Sequence, residues 1–423
     1  MRTRRRSLAL GALAFLGFAS LGLPDGALGV AWPRVRESFG LPLDALGALL
    51  AASVAGYASA SFLAGAILAR ISLGTLLALS CAATGAALLG YQAAPSWGAM
   101  VACGLVAGLG AGAIDAGINA FAALRFAPRT LHWLHAAYGL GTTAGPALMA
   151  HALMSGAGWR AGYLALGAVQ LALALGFAAT RRLWPGAAAA EGASGSSDAP
   201  AAPLVATLRS RAAQLGAASF FLYLGVEATA GAWLYSLLEE GRGAPMAIAS
   251  SAATAYWGAL LAGRVAFGFA PNRWGASAVV VPATAFCVLA AIGLALDAGV
   301  RADLACAALL GFAAAPIFPA LIASTRERIG SAHTANAVGL QIASAALGQA
   351  GLPALVGIAA ARHGLACIPL ALLGFALALL SMQLAARQLA RREARIAATS
   401  SSGTSGGAPA SGADASATAR SVP

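Results

Sequence analysis

Three carboxylates lie inside long apolar runs, where an acid needs a specific reason to be: Asp25, Asp115 and Glu227. Asn119 follows Asp115 by four residues, and Tyr223 and Gly231 flank Glu227 by four on either side, so each set shares one helix face. Gly22, Asp25, Gly29 and Trp32 share another face, with Pro24 beside the acid. An ionisable group in hydrocarbon is costly, so such residues turn to a protein interior or a water-filled cavity. Removal from water favours the neutral form of a carboxylate, which lets it load and release a proton as its exposure alternates. Asp25, Asp115, Asn119 and Glu227 are therefore expected to handle a proton and a small polar solute, and Trp32, Tyr223 and Gln341 to line the same cavity. The competing reading makes each acid a structural hydrogen-bond acceptor between helices.

The elements that must hold these residues are membrane helices. Of the 423 residues 60% are hydrophobic and only 9% charged, whereas a soluble domain carries roughly a quarter charged residues. A span needs ~20 mostly apolar residues, and twelve runs of that kind occur, at 8–33, 45–69, 74–92, 97–123, 134–155, 161–180, 212–237, 247–270, 276–296, 303–324, 335–360 and 364–386. The expected organisation is an all-α polytopic membrane protein of two pseudo-symmetric six-helix bundles. Residues 1–181 form the first bundle, 182–211 a flexible cytoplasmic linker rich in Ala, Gly, Ser and Pro, 212–386 the second bundle and 387–423 a disordered tail. Both bundles open on a related span: an acid, a glycine four residues on, then a tryptophan (Asp25, Gly29, Trp32; Glu227, Gly231, Trp233). Such internal repeats mark transporter folds built from two related halves.

All 26 basic residues are arginine, and 20 of them fall on the side holding both termini. By the positive-inside rule both termini and the linker are cytoplasmic, in the inner membrane of a cell. The basic start, Arg2 to Arg6, leads into a run longer than a signal peptide's, so it reads as the first span. The net charge of +12 sits in short loops and tails, which speaks against nucleic acid. Cys81, Cys103, Cys287, Cys306 and Cys367 lie singly in apolar runs with no CxxC spacing, so neither metal nor disulfide is indicated. Gly139, Gly141 and Gly145 lack the spacing and strand context of a dinucleotide loop. No Ser–His–Asp spacing, HExxH or Walker loop occurs, so no enzyme and no cofactor is expected, only a proton gradient as driving force. His151 and Gln170 read as helix-packing polar groups, and His132, His135 and His333 as solvated turn residues. The expected partners are a small solute and the bilayer, for a monomer.

Twelve spans, a central linker and a repeated half resemble the major facilitator superfamily, in which spans 1, 4, 7 and 10 line the substrate cavity. All three buried acids fall on such spans, and span 10 adds Pro316 and Pro319. Within the superfamily the chain is most similar to the fucose–proton symporter branch. Gly108-Leu109-Gly110 followed by Asp115, Asn119 and Phe121 resembles that branch's span 4, with aspartate in place of its glutamate. Leu134 to Gly141 with Gly145-Pro146, and Tyr223, Glu227 and Trp233, resemble its spans 5 and 7. The span 1 aspartate of that branch corresponds in place to Gly29, with Asp25 one turn deeper. The superfamily's loop signature after span 2 survives as Gly65 to Arg70 with Ala69 where aspartate is usual, and after span 8 as Gly263-Arg264, Gly268 and Arg273-Trp274-Gly275. The resemblance thus implies a gating role for Arg70, Arg264 and Arg273. Gly141-x3-Gly145-Pro146 also resembles the signature of drug–proton antiporters, but Met149-Ala150 replace its last glycines and span 4 lacks the arginine common there. The resemblance implies proton-coupled symport of a solute such as a sugar, with efflux antiport as the alternative.

Overall fold

The computed structural model describes residues 2–125, 128–184, 202–269 and 276–403. The first half holds α1 Arg2–Phe39, α2 Leu46–Leu68, α3 Leu73–Ala93, α4 Trp97–Arg125, α5 Pro128–Met154 and α6 Gly158–Thr180. A short α7, Leu204–Arg209, precedes the second half: α8 Arg211–Ser236, α9 Met246–Gly268, α10 Ala276–Leu296, α11 Val300–Ala314, α12 Ile317–Ala323, α13 Thr325–Ile329, α14 Ser331–His363 and α15 Cys367–Gly403. Among the described residues, ten helical segments are long and apolar enough to cross a membrane, with α11 and α12 counted as one. The helices α5 and α9 match them in length and pack among them, but carry Thr142, Thr143 and His151, or Ser250, Ser251 and Arg264, which dilute their apolar character.

Packing repeats between the halves. In the first, α1 lies on α5, α2 on α4 and α3 on α6; in the second, α8 lies on α14, α9 on α11 and α10 on α15. The halves meet where α5 touches α9, α2 touches α14, and α1 touches α8. In lipid the approach of two helices is driven by packing, so small residues sit at the seams. Gly22, Gly26, Gly141 and Gly145 interleave α1 with α5, and Gly108 and Gly112 lie on the Ser53 and Tyr57 carbonyls of α2. In the second half Gly311 lies on the Tyr256 carbonyl of α9, and Gly348 on the Phe221 carbonyl of α8. The antiporter-like Gly141 and Gly145 are thus accounted for by the α1–α5 seam.

Several boundaries differ from the sequence reading. The helix α1 continues through Pro24 and Pro33 to Phe39, because a proline's missing N–H is tolerated where neighbouring helices surround the chain. Span 10 is broken into α11 and α12 at Ala315 and Pro316. Residues 182–211 are not linker throughout, since α7 forms within them, capped off from α8 by Ser210. The tail is helical as far as Gly403, where Ala, Arg, Leu and Gln supply strong helix formers. Residues 185–201 and 404–423 lie outside the described residues.

One hydrophobic core joins both halves: it takes the end of α1 that carries Trp32, and in the second half it runs along α8 from Phe220 to Trp233 and on to Leu321 of α12. At the end carrying the termini, the first half has a separate core around Phe18, Leu77, Ile118 and Phe177. At the end carrying the termini the Trp133 ring of α5 meets Phe269 just past α9, 5.2 Å between centroids, and at the remote end the halves share their core. Two ion pairs cross the seam there, Arg34–Glu239 and Arg36–Glu240, each at 2.7 Å. A π-helical turn, Leu237–Gly241, presents the two consecutive glutamates.

Candidate functional site

Each of the three intramembrane acids is bonded to a tyrosine hydroxyl on another turn or another helix. Tyr138 of α5 donates to Asp25 Oδ2 at 2.8 Å. Tyr57 of α2 donates to Asp115 Oδ2 at 2.5 Å, and Asn119 donates its amide to Asp115 Oδ1 at 3.0 Å. Tyr223 donates to Glu227 Oε2 in a short bond one turn away on α8. The i, i+4 sharing of a face read from the sequence therefore appears as direct contact in both sets.

The acids are linked across the seam. Tyr138, bonded to Asp25, lies on α5, and α5 packs across the seam on α9, whose Arg264 pairs with Glu227. The helices of Asp25 and Glu227 are held in register by backbone contact: a Cβ on Gly29 would stand 2.3 Å from the Gly231 carbonyl oxygen. The paired glycines of the sequence repeat thus meet each other. Asp25 is exposed although Gly26 and Ala27 beside it are buried. At mid-helix this places its carboxylate on an open space between helices, while Asp115 is half-buried and Glu227 buried.

Glu227 differs from the other two in having a cation. Arg264 Nη2 lies 3.2 and 3.3 Å from its two oxygens, with the side chains 17% and 8% exposed. The Tyr256 hydroxyl also fixes the Glu227 backbone carbonyl at 2.9 Å. The sequence reading places Arg264 in a gating loop; it lies inside α9, about two turns from Tyr256, and reaches Glu227 of α8. A guanidinium within a membrane helix requires a fixed counter-charge, and Glu227 supplies it. Arg70 is exposed just beyond α2, and Arg273 lies outside the described residues.

Two of the cavity candidates, Trp32 and Gln341, are buried away from the acids. Trp32 is fully buried in the shared core, its ring 5.6 Å from that of Trp97, because α1 runs on past Pro33 and carries it there. Gln341 is buried against α8 and α13: Thr325 Oγ1 donates to its Oε1 at 3.0 Å, in the space left by Gly216. Tyr223 is buried too, but touches Glu227 as expected. Gln170 ties α6 to Ser20 of α1 as a packing group, Nε2 to the backbone oxygen at 3.0 Å. His333 is not merely solvated, since its Nδ1 lies 2.8 Å from Thr207 Oγ1. The side chains of His132 and His135 lie outside the described residues.

Tyr57, Tyr138 and the Arg264–Glu227 pair were the functional contacts that sequence spacing missed. Each joins residues far apart in the chain, where no short-range period exists. One signal was present: the apolar run 247–270 already enclosed Arg264, and an arginine inside a span calls for an acid inside another.

A sequence profile described as the Major Facilitator Superfamily matches residues 14–300. "Bypass of stop codon protein 6" of Saccharomyces cerevisiae is 26% identical over 177 residues, which is 38% of this chain and 35% of that protein. The chain therefore spans about a third of the length of that yeast relative. Among solved structures, the nucleoside transporter NupG, crystallised as a variant, superposes with a TM-score of 0.72 at 17% identity, covering 90% of this chain and 99% of that one. A bacterial homolog of the human lysosomal transporter Spinster, in an inward-facing and occupied conformation, gives 0.67 at 15% identity, covering 92% and 97%. The human organic anion transporter MFSD10 gives 0.63 at 18% identity, covering 89% and 99%. With helices paired identically in two halves, a profile match over most of the chain and the same fold in known transporters, this chain belongs to the major facilitator superfamily.

Proposed function

We propose that this membrane transporter couples a proton to the symport of a small polar solute, such as a sugar, by alternating access. The observation that carries the reading is the set of carboxylate–tyrosine pairs at Asp25, Asp115 and Glu227, gathered about the seam between the halves. Among the described residues, Asp115 has a hydroxyl and an amide donor and Asp25 a hydroxyl donor, with no cation at ion-pair distance from either, so protonation removes an uncompensated charge from each. Glu227, paired with Arg264, holds the positive charge in place and couples α8 to α9. Asn119 and the tyrosine hydroxyls are the groups suited to solute hydroxyls. Arg70, Arg264 and Arg273 take part in gating, with Arg264 acting from within the bundle. The similarity of span 4 to the fucose–proton symporters supports a sugar, the arginine distribution supports cytoplasmic termini in an inner membrane, and the proposed working unit is a monomer.

A second reading, exchange of protons for cationic amphipathic compounds, is favoured by one observation: Asp25 is open to solvent without a cationic partner. Proton movement in proteoliposomes, on addition of a sugar panel and of a cationic drug panel, separates the two. Proton entry together with one sugar class supports symport. Proton movement against a drug alone replaces it with antiport, and no response to either panel removes proton coupling from the proposal.

A further inference from the structure

The six-residue helix α7 carries its apolar side chains outward. Leu204, Val205 and Leu208 are 55%, 58% and 42% exposed, whereas the polar Thr207 is buried. At 100° per residue the three apolar side chains fall within an arc of about 100°, and Ala206 points to the opposite side. A turn in water has the reverse arrangement, because exposing three large apolar side chains together forfeits their burial.

The position of α7 is fixed by bonds to two membrane-crossing helices. Thr207 Oγ1 lies 2.8 Å from His333 Nδ1 in the first turn of α14, and Asn336 donates to the Ala202 carbonyl at 2.8 Å. Ala202 N donates to the Ala332 carbonyl at 3.0 Å, and Gln214 of α8 donates to the Leu208 carbonyl at 2.8 Å. Ser210 is extended (φ −72°, ψ 121°) and separates α7 from α8, whose span begins at Arg211. Thus α7 sits level with the start of a span, where hydrocarbon gives way to headgroups. Arg209 and Arg211, both exposed, flank the apolar arc.

We infer that α7 is a lipid-resting helix: Leu204, Val205 and Leu208 enter the boundary between headgroups and acyl chains of an anionic leaflet, while Arg209 and Arg211 meet lipid phosphates. The arc is exposed beside the start of the α8 span, and its flanking arginines complement anionic headgroups. Through Thr207 and His333 the helix would tie the first turn of α14 to the membrane surface.

The test uses the full chain in nanodiscs of phosphatidylcholine, with and without phosphatidylglycerol, with photoreactive benzoylphenylalanine at Val205 or, as control, at Ala206. Both sites are exposed, so neither replacement disturbs a core. The expected result is at least fivefold more lipid adduct from 205 than from 206. In the anionic discs, the 205 yield falls at least twofold when Arg209→Gln and Arg211→Gln are combined. Equal yields at the two sites, or adducts from 205 chiefly to another segment or a second copy of the chain, overturn the inference. Yields at 205 indifferent both to phosphatidylglycerol and to the arginine variant overturn the anionic preference.

Discussion

Replacing Arg264 by methionine removes the cation from a carboxylate that is 8% exposed and leaves an apolar side chain of similar length beside it. Removing one partner of a buried ion pair costs about 3–5 kcal/mol, because the remaining charge stays desolvated. The Tyr223 hydroxyl still donates to Glu227, so the lower end applies, about 3 kcal/mol. At about 2 °C per kcal/mol for a large domain, the unfolding midpoint should fall by about 6 °C. Glu227→Gln strands the guanidinium instead and should cost a comparable amount. The double variant, Glu227→Gln with Arg264→Met, has no buried charge and should recover to within about 1 kcal/mol of the wild type. Tryptophan fluorescence of the purified protein in detergent, followed through a temperature ramp, reads all four proteins. A wild-type midpoint for Arg264→Met, or a double variant no better than the worse single one, would refute the idea that these groups form a held pair.

Other expectations follow from the same geometry. Asp115→Asn keeps the side-chain shape and the Tyr57 and Asn119 neighbours but removes the titrating group; proton-driven accumulation of solute should vanish while the melting profile stays within about 1 kcal/mol of wild type. Gly108→Ala puts a Cβ 1.9 Å from the Ser53 carbonyl oxygen, where no rotamer relieves it; it should cost about 3 kcal/mol. By contrast Gly339→Ala, inside α14 with nothing within 4 Å, should gain about 0.5 kcal/mol in the same melt. The Arg34–Glu239 and Arg36–Glu240 pairs are partly exposed, with Arg34 at 38%, so each adds at most about 0.5 kcal/mol to the contact between the halves. Arg34→Gln with Arg36→Gln should therefore speed amide exchange in Leu237–Gly241 by only a few fold, and 1 M salt should reproduce the effect in the wild type.

How much of this was legible beforehand depends on the distance over which each signal acts. Spans, the two halves and the Asp115–Asn119 and Tyr223–Glu227 pairs rest on hydropathy and on the helical period, which a few consecutive residues display. The helix passing through Pro24 and Pro33 did not show, because whether a proline ends a helix in a bilayer is decided by the helices around it. The sequence leaves Trp32 equally fit for the cavity and for the membrane interface; with α1 continuing to Phe39, its ring is buried in the shared core. Tyr57 and Tyr138 have no local mark at all, since their acids lie 58 and 113 residues away. Arg264 could have been found from charge balance alone, had its place within the apolar run been weighed above its likeness to a loop motif.

The meeting of Gly29 with Gly231 has a consequence for how the two halves can diverge. Where the packing of α4 on α2 repeats as that of α11 on α9, Gly112 and Gly311 occupy matching places on the Tyr57 and Tyr256 carbonyls. Three residues further on, one half has Asp115 and the other Ala314, so the chemistry has become one-sided there. At Gly29 no such drift is open, because the Gly231 carbonyl fills the space its side chain would need, while a side chain at Gly231 would meet the ring of Trp257. A change at Gly29 is judged against the opposite repeat, and one at Gly231 against Trp257 of its own half. After a duplication, therefore, the halves can specialise along their outer and polar positions while this contact keeps them matched.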